Sequence, residues 1–128
     1  MNDPVADLVV TIRNGAAAQH QSVSLFHSNL KEAIVAVLKS EGFVSSYEVS
    51  GSKIKKLTVH LKYSGKASVI SDIRQISKPG LRRYTAATEI PKVLGGMGIS
   101  IVSTSRGVMT GTNAQKSNLG GELVCSVW

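Results

Sequence analysis

The sequence predicts an α+β protein of two small lobes, an N-terminal lobe at residues 1–64 and a C-terminal lobe at residues 65–128. Apolar residues recur at helical spacing over the first forty residues, and from Phe43 onward they recur at every second residue, as in strands. The chain of 128 residues is long enough for one domain, or for two small lobes that share a core. We expect a lobe of two helices and a small sheet, followed by a mainly antiparallel β lobe with a short helix.

The first helix is predicted to begin at Asp3-Pro4, because aspartate caps free amides and proline fits the first helical position. It is predicted to end at Asn14-Gly15, and residues 15–27 then form a polar connection. The apolar stripe of this helix, spaced at i, i+3, i+4 and i+7, consists of Val5, Leu8, Val9 and Ile12.

Ser28 is predicted to cap a second helix, which ends before Gly42. Its predicted buried residues are Leu30, Ile34, Val37 and Leu38. A hairpin follows, with strands at residues 43–49 and 54–63 around a turn at residues 50–52. These elements complete the first lobe.

The second lobe is predicted to be mostly strands, with turns at its glycines and prolines. The predicted strands are residues 69–76, 81–85, 99–105, 107–109 and 123–128. A turn at residues 78–80 precedes the basic strand, and a short helix at residues 86–94 follows it. Residues 113–116 are predicted to form a helical turn between the last strands.

Charge is divided unevenly along the chain, whose formal net charge is +7 and whose pI is about 9.8. The first fifty residues hold three bases and five acids, whereas the remainder holds twelve bases and three acids. Such an excess of bases favours a polyanionic partner, with a merely solubilising basic surface as the alternative. The bases lie between predicted strands rather than along one helix, which argues against binding to a membrane surface.

Several functional classes find little support in the composition. The single cysteine, Cys125, cannot form an intrachain disulfide, and no signal peptide or membrane span is visible, so we expect a cytoplasmic protein. His20, His27 and His60 lack the cysteines and carboxylates of a metal site. We predict no catalytic residues, no metal, no cofactor and no small-molecule substrate, although an enzyme that uses Cys125 as nucleophile stays open as a rival from another class.

Two segments near the carboxyl end combine small polar residues with glycine. Ser103-Thr104-Ser105 precedes Arg106-Gly107, and a hydroxyl both donates and accepts, so it can meet a base edge or a ribose 2′-hydroxyl. Glu122 follows Gly120-Gly121 in a lobe with few acids, and its carboxylate can accept from base or ribose groups. The alternatives are an ordinary strand end for the serines and an ion pair with Arg106 for Glu122.

A third segment combines positive charge with an aromatic ring. Lys78-Pro79-Gly80 is followed by Arg82, Arg83 and Tyr84, a combination that suits RNA backbone contacts and base stacking.

Motifs distributed over nearly the whole chain resemble a known family. They are Asp3-Pro4-Val5-Ala6-Asp7, Ile12-Arg13-Asn14-Gly15, Glu41-Gly42-Phe43, Leu61-Lys62-Tyr63, Ser77-Lys78-Pro79-Gly80-Leu81-Arg82, Ile90-Pro91-Lys92-Val93, Gly95-Gly96-Met97-Gly98-Ile99, Ser103-Thr104-Ser105-Arg106-Gly107-Val108-Met109-Thr110 and Gly120-Gly121-Glu122. On these residues the chain resembles the bacterial small-subunit ribosomal protein S-eight family. The last two motifs, in this order, are the most specific.

The resemblance implies a structural component of the small ribosomal subunit, without enzymatic activity. It implies binding to the central domain of small-subunit ribosomal RNA early in assembly of the platform, with neighbouring small-subunit proteins as further partners. Some family members also bind their own operon mRNA and repress its translation. The alternative within RNA-binding proteins is a generic basic chaperone without a fixed site.

The resemblance also assigns roles to residues of this chain. It implies core RNA contacts at Ser103, Thr104, Ser105 and Glu122, close approach at Gly120 and Gly121, further contacts at Tyr84 and residues 78–83, and first-lobe contacts near Arg13, Asn14 and Lys31. The chain departs from the family pattern at residues 111–116, where the usual acid and bases are missing and we expect a weaker cap for the short helix.

Overall fold

The predicted α+β class is confirmed by the computed structural model of the chain, which describes residues 3–93 and 96–128. The chain divides into two units, one that ends at Ser71 and one that starts at Asp72. The elements of the first unit are α1 (Pro4–Ala17), β1 (Ser22–Phe26), α2 (Asn29–Ser40), β2 (Val44–Ser50), β3 (Lys56–Leu61), β4 (Tyr63–Ser64) and β5 (Ala67–Ser68). Those of the second unit are β6 (Ile73–Gln75), β7 (Tyr84–Thr85), a 3-10 turn (Ala87–Glu89), β8 (Ile99–Thr104), β9 (Gly107–Thr110), α3 (Gly111–Lys116) and β10 (Gly121–Val127).

Helix α1 begins where the sequence predicts and ends later. The Asp3 carboxylate accepts hydrogen bonds from the amides of Val5 and Ala6, each at 3.1 Å, which confirms the cap. The predicted end at Asn14-Gly15 is wrong, since the helix continues to Ala17. Gly15 is buried inside it, where a Cβ would overlap the Val23 side chain. The glycine therefore permits close helix-to-strand packing instead of ending the helix.

Strand β1 lies in the stretch that was predicted to be a polar connection, so that prediction is wrong. Its residues alternate between exposed and buried, with Val23 and Leu25 turned inward. It pairs antiparallel with β3, which is the central strand of a three-stranded sheet of order β1-β3-β2. The predicted β2–β3 hairpin is confirmed.

Helix α2 begins at the predicted cap, where the Ser28 hydroxyl accepts from the Lys31 amide at 3.1 Å. Ile34 and Leu38 are buried as predicted, but Lys31 and Val35 are the other buried residues of the helix. Helix α1 lies against β1, α2 lies against β2, and the two helices contact each other. Leu57, Val59 and Leu61 of β3 are buried in this unit, and Thr58 and His60 between them are partly exposed.

The ammonium group of Lys31 is held inside the first unit. The residue is only 5% exposed, and its Nζ donates to Asp7 Oδ2 at 2.7 Å and to the Phe26 carbonyl at 2.8 Å. One ion pair therefore joins α2 to α1, and one hydrogen bond joins it to β1. Burial of a charge is tolerated only when it is paired in this way.

The second unit is built on β10. This strand pairs antiparallel with β6, β7 and β8, and β9 extends the sheet beyond β8. Predicted strands 99–105, 107–109 and 123–128 are confirmed as β8, β9 and β10, whereas only Ile73–Gln75 and Tyr84–Thr85 are strand within the predicted 69–76 and 81–85. The predicted helix at 86–94 is reduced to the Ala87–Glu89 turn, because Ile90 has an extended backbone; residue 94 lies outside the described residues.

A β-bulge interrupts the pairing of β10 with β8. Leu123 lies opposite Val102 and Cys125 lies opposite Ile101, so that Val124 is the extra residue. Val102 and Leu123 pack with Ala114 of α3, and Ile76, Ile90 and Met109 are partly buried against this cluster. The sequence led us to expect a weaker cap for α3. In the structure Thr110 caps this helix, because its hydroxyl accepts from the Asn113 amide at 3.2 Å.

The Lys31 ion pair leads to a prediction about stability. Asp7→Asn leaves the buried ammonium without its counter-charge, so we expect the free energy of unfolding to fall by about 2–3 kcal/mol. Urea denaturation followed by circular dichroism measures the loss. Glu41→Gln is the control, since Glu41 is exposed and has no ion-pair partner among the described residues. Equal losses in the two variants would contradict a specific role for the pair.

Candidate nucleic-acid interface

Three of the predicted contact residues lie side by side across the second sheet. Glu122 of β10 is directly opposite Tyr84 of β7 on one side and directly opposite Ser103 of β8 on the other. Opposed residues of antiparallel strands project from the same face of a sheet, so these three side chains form one row. We call Tyr84, Glu122 and Ser103 the polar row. On the far side of Ser103, the residue directly opposite is the apolar Val108 of β9, which is not counted in the polar row.

The polar row lies on the face of the sheet that α3 does not cover. The next residues along the strands, Leu123, Val102 and Met109, also oppose one another and pack against the α3 side. Because side chains alternate between faces along a strand, the polar row points the other way. Segments that are far apart in sequence are thereby brought together at one end of one face.

The carboxylate of Glu122 is held in a fixed position. Its Oε2 accepts from Ser77 Oγ at 2.5 Å and from Arg82 Nη1 at 3.0 Å. The side chain is partly buried, and the ion pair is with Arg82 rather than with Arg106, the partner considered from the sequence. The second oxygen, Oε1, has no hydrogen-bond partner within residues 3–93 and 96–128, so it is available to an external donor.

Ser77 is a site residue that the sequence reasoning did not select. It is buried, and its hydroxyl donates to Glu122 and accepts from the Arg83 amide at 3.2 Å. Its own amide and that of Ile76 donate to the carbonyl of Val124, the bulged residue. One serine thus fixes both the carboxylate and the start of the basic segment. Its sequence signals are its position before the Lys78-Pro79-Gly80 turn and its place at the start of the Ser77-to-Arg82 motif quoted for the family resemblance.

The β8–β9 turn carries the predicted hydroxyl motif, and its three hydroxyls differ in state. Thr104 Oγ1 donates to the Gly107 carbonyl at 2.8 Å and accepts from the Arg106 amide at 3.2 Å, so it is occupied in shaping the turn. Gly107 completes the turn with a φ of +113°, which glycine adopts without strain. In the described part of the chain the hydroxyls of Ser103 and Ser105 have no hydrogen-bond partner.

The basic segment runs along the other side of the polar row. Lys78 and Leu81 exchange two backbone hydrogen bonds and form the predicted tight turn, with Pro79 and Gly80 at its tip. The side chains of Lys78, Arg82 and Arg83 are exposed, and the ring of Tyr84 is 74% exposed. Arg83 is anchored through its backbone, because its carbonyl accepts from the Leu123 amide at 2.9 Å.

Gly120 and Gly121 allow the backbone of the protein to approach itself. A Cβ on Gly121 would overlap the Ser103 carbonyl oxygen, and one on Gly120 would lie 2.5 Å from the Thr85 carbonyl oxygen. Both glycines therefore have a structural role in the pairing of β10 with β8 and β7. Their predicted role in close approach of RNA stays a prediction.

Comparison with known proteins identifies the family. The family model described as "Ribosomal protein S8" matches residues 3–128. The chain belongs to the ribosomal protein S8 family.

Relatives over the whole length agree with this assignment. The chain is similar to small ribosomal subunit protein uS8 of Mycoplasmopsis synoviae, with 52% identity over 100% of this chain and 98% of the relative. The uS8 proteins of Dehalococcoides mccartyi and Pseudomonas entomophila are 50% and 46% identical, over 100% of this chain and 99% and 98% of theirs. Membership in a family of ribosomal structural proteins confirms the expectation that the chain is not an enzyme.

The residues that the resemblance to the S8 family assigned to the first lobe differ in accessibility. Arg13 and Asn14 are exposed on α1. Lys31 is buried and paired with Asp7, as described above, so its charge acts within the protein. We do not carry Lys31 into the RNA-contacting set.

Cys125 has none of the properties of a catalytic thiol in this S8-family chain. It is fully buried in β10, and burial raises the pKa of the thiol from 9.0 to about 12, because the charged thiolate is disfavoured away from water. The described residues contain no group of histidine, cysteine and acidic side chains able to hold a metal ion. They also contain no helix long and apolar enough to cross a membrane.

The close approach at Gly121 predicts a stability effect. Gly121→Ala forces β10 away from the Ser103 carbonyl, and we expect a loss of about 1–3 kcal/mol in the free energy of unfolding. Gly80→Ala is the matched control, because nothing lies within 4 Å of the added methyl group and φ is not positive. Chemical denaturation of both variants tests this. A Gly121→Ala protein as stable as Gly80→Ala would show that the strands are not tightly apposed.

Burial of Cys125 predicts slow thiol chemistry. At pH 8 the native protein should react with a thiol-specific reagent at least about a hundredfold more slowly than the urea-unfolded protein, because thiolate is the reactive species. Colour release from a disulfide reagent measures both rates. Fast labelling of native protein would contradict the burial of this thiol.

Proposed function

We propose that this protein binds the central domain of small-subunit ribosomal RNA through the polar row and the β8–β9 turn, and helps to organise the platform of the subunit. The observation that carries the proposal is a pair of hydroxyls without a hydrogen-bond partner in the described part of the chain, on partly exposed Ser103 and exposed Ser105, which are bordered by bases. Polar groups left without internal partners on a rigid strand end are groups available to a ligand. The relatives that carry the name small ribosomal subunit protein support this assignment.

The two kinds of side chain would contribute in different ways. Lys78, Arg83 and Arg106 are exposed and would attract phosphates, with release of counterions. The hydroxyls of Ser103 and Ser105 would read the positions of base edges and 2′-hydroxyls, which depend on RNA shape. The exposed ring of Tyr84 offers a surface on which an unpaired base can stack.

Glu122 would make the site selective. Its remaining oxygen, Oε1, can accept from a base N–H or a ribose hydroxyl, whereas it repels phosphate. Because Ser77 and Arg82 hold the carboxylate, little side-chain entropy is lost when an RNA donor binds. An RNA that offers only phosphates at this point would bind less well than one that offers a donor.

The competing proposal is a generic RNA chaperone without a fixed site. A generic chaperone would need charge alone and no ordered hydroxyls, so the fixed polar row favours a specific site.

Membership in the family places the protein in the small subunit of the cytoplasmic ribosome. Its further partners there would be neighbouring small-subunit proteins. Repression of the protein's own operon mRNA would use the same face, and it stays a prediction from the resemblance.

Two substitutions separate shape reading from charge. Ser105→Ala should weaken binding to a central-domain transcript while leaving the slope of log affinity against log salt unchanged. Arg83→Ala should weaken binding to this transcript and to unrelated RNA, and should lower the slope by about 0.7–0.9 for each phosphate that Arg83 neutralises in the wild-type complex. Filter binding at several salt concentrations gives both quantities.

The matched controls are Ser64→Ala for the lost hydroxyl and Lys66→Ala for the lost charge, because both residues are exposed and lie outside the predicted contact set. If Ser105→Ala and Arg83→Ala reduce affinity for specific and unrelated RNA equally, with the same change of slope, the proposed division of labour is wrong. Survival of wild-type binding in excess unrelated RNA would in addition separate a specific binder from a chaperone.

A further inference from the structure

The tip of the β2–β3 hairpin carries a second exposed surface, in the first unit. Ile54 is 73% exposed and Phe26, on the neighbouring strand β1, is 71% exposed. Lys53, Lys55 and Lys56, which flank Ile54, are exposed too. We call these five residues the hairpin-tip patch. None of them belongs to the predicted RNA-contacting set of the second unit.

The strand register brings the members of the patch together. Phe26 lies directly opposite Lys56, and Lys56 lies directly opposite Ser50 on the other side. The His27 amide donates to the Lys55 carbonyl at 3.0 Å, so the end of β1 runs beside the residues that follow Ile54. Phe26 and Lys56 therefore lie on the same face of the sheet, the one that carries the exposed residues of β1. Backbone hydrogen bonds between β1 and β3 fix the positions of these two residues relative to each other.

Acidic side chains near the patch are already engaged elsewhere. Glu32 bonds His27 at 2.7 Å, and Asp7 bonds Lys31 at 2.7 Å. On the same sheet face as Lys56, the nearest acid on β2 is Glu48, two residues before Ser50. Its carboxylate bonds the His60 ring at 2.7 Å, and His60 lies further from the hairpin tip than Lys56 does.

The lysines of the patch are in the opposite situation. Lys53, Lys55 and Lys56 have no acidic partner among residues 3–93 and 96–128. Three closely spaced positive charges without compensation repel one another, and an anionic partner would relieve that repulsion.

We propose that the hairpin-tip patch is a second RNA-binding site, which takes an unpaired nucleotide and its flanking phosphates. An exposed aromatic ring beside several lysines is the combination that holds single-stranded RNA, since a base stacks on the ring while phosphates meet the ammonium groups. Two apolar side chains on a loop and a strand end are too few for insertion into a lipid surface, which favours a longer amphipathic helix. The site lies in the first unit and does not depend on the polar row.

Substitutions test the chemistry of the patch in the full-length protein with a central-domain transcript. Lys55→Gln with Lys56→Gln should lower the slope of log affinity against log salt by about 1.5, the value for two phosphate contacts. Lys62→Gln with Lys66→Gln removes the same charge from the same unit outside the patch and should leave the slope nearly unchanged. Equal effects of the two pairs would overturn the proposal, because charge alone would then explain them.

A separate substitution tests stacking. Phe26→Ala should reduce affinity for the transcript about fivefold or more, and Phe26→Tyr should restore most of it, since both aromatic rings can stack. Phe26 is exposed, so neither change disturbs the core. Circular dichroism confirms the fold of each variant. Equal losses for Ala and Tyr, or no loss for Ala, would overturn stacking at this ring.

Site-directed crosslinking separates this proposal from the proposed function. Because Cys125 is buried, a photoreactive maleimide will label a single introduced cysteine in Ile54→Cys, Ser105→Cys or the control Glu41→Cys. Each labelled protein is bound to the central-domain transcript and irradiated, and crosslinked nucleotides are mapped by reverse transcription. We expect crosslinks from positions 54 and 105 to different nucleotides, and none from position 41.

The possible results lead to different conclusions. Crosslinks from position 105 without any from position 54 overturn the hairpin-tip site and leave the proposed function intact. Crosslinks from position 54 alone support the hairpin-tip site and contradict the polar-row contacts. If labelled position 54 crosslinks to no RNA but the protein binds anionic lipid vesicles in a Phe26-dependent manner, the patch is a lipid contact and the RNA proposal is wrong.

Discussion

The second unit depends on the pairing of a single strand, β10, with three others. Its first residues lie between β7 and β8, where Gly120 and Gly121 leave room for neighbouring carbonyls that any Cβ would meet. This pairing aligns Tyr84, Glu122 and Ser103, which come from three distant parts of the sequence. The bulge at Val124 adds the carbonyl that holds Ser77, and Ser77 in turn holds Glu122. The arrangement of the polar row is thus a consequence of backbone packing.

Polar groups around this row fall into two classes that are easily confused in a sequence. The hydroxyls of Ser77 and Thr104 are satisfied inside the protein and act as scaffolding. Those of Ser103 and Ser105 have no partner within the described residues, and they are the groups through which we propose that RNA is read. Under the proposed function, a carboxylate and hydroxyls already held in place would lose little conformational entropy on binding, and they would add specificity to a surface whose positive charge alone would attract any polyanion.

The sequence was sufficient for the fold class, for the helix caps at Asp3 and Ser28, and for the strands with strong alternation. It failed where packing decides against local preference. Gly15 is a plausible helix end until β1 packs on it, and β1 is a five-residue strand in which only Val23 and Leu25 are buried. For the site, the motifs at 103–107 and 120–122 were visible, but the role of Ser77 was not, because nothing in its motif indicates that its hydroxyl bonds a carboxylate 45 residues further along the chain. The burial of Lys31 was hidden because a helix repeat treats lysine as a surface residue.

The central position of β10 also has a consequence for biosynthesis. Strands β6, β7 and β8 are all made before residues 121–127, so each lacks the β10 neighbour to which it bonds until the end of the chain has left the ribosome. Contacts between distant segments form late and expose strand edges until they do. The second unit therefore gains its sheet only after its last-made strand emerges, whereas the hairpin of the first unit closes from adjacent segments. A nascent chain would present the hairpin tip well before it presents an aligned Glu122.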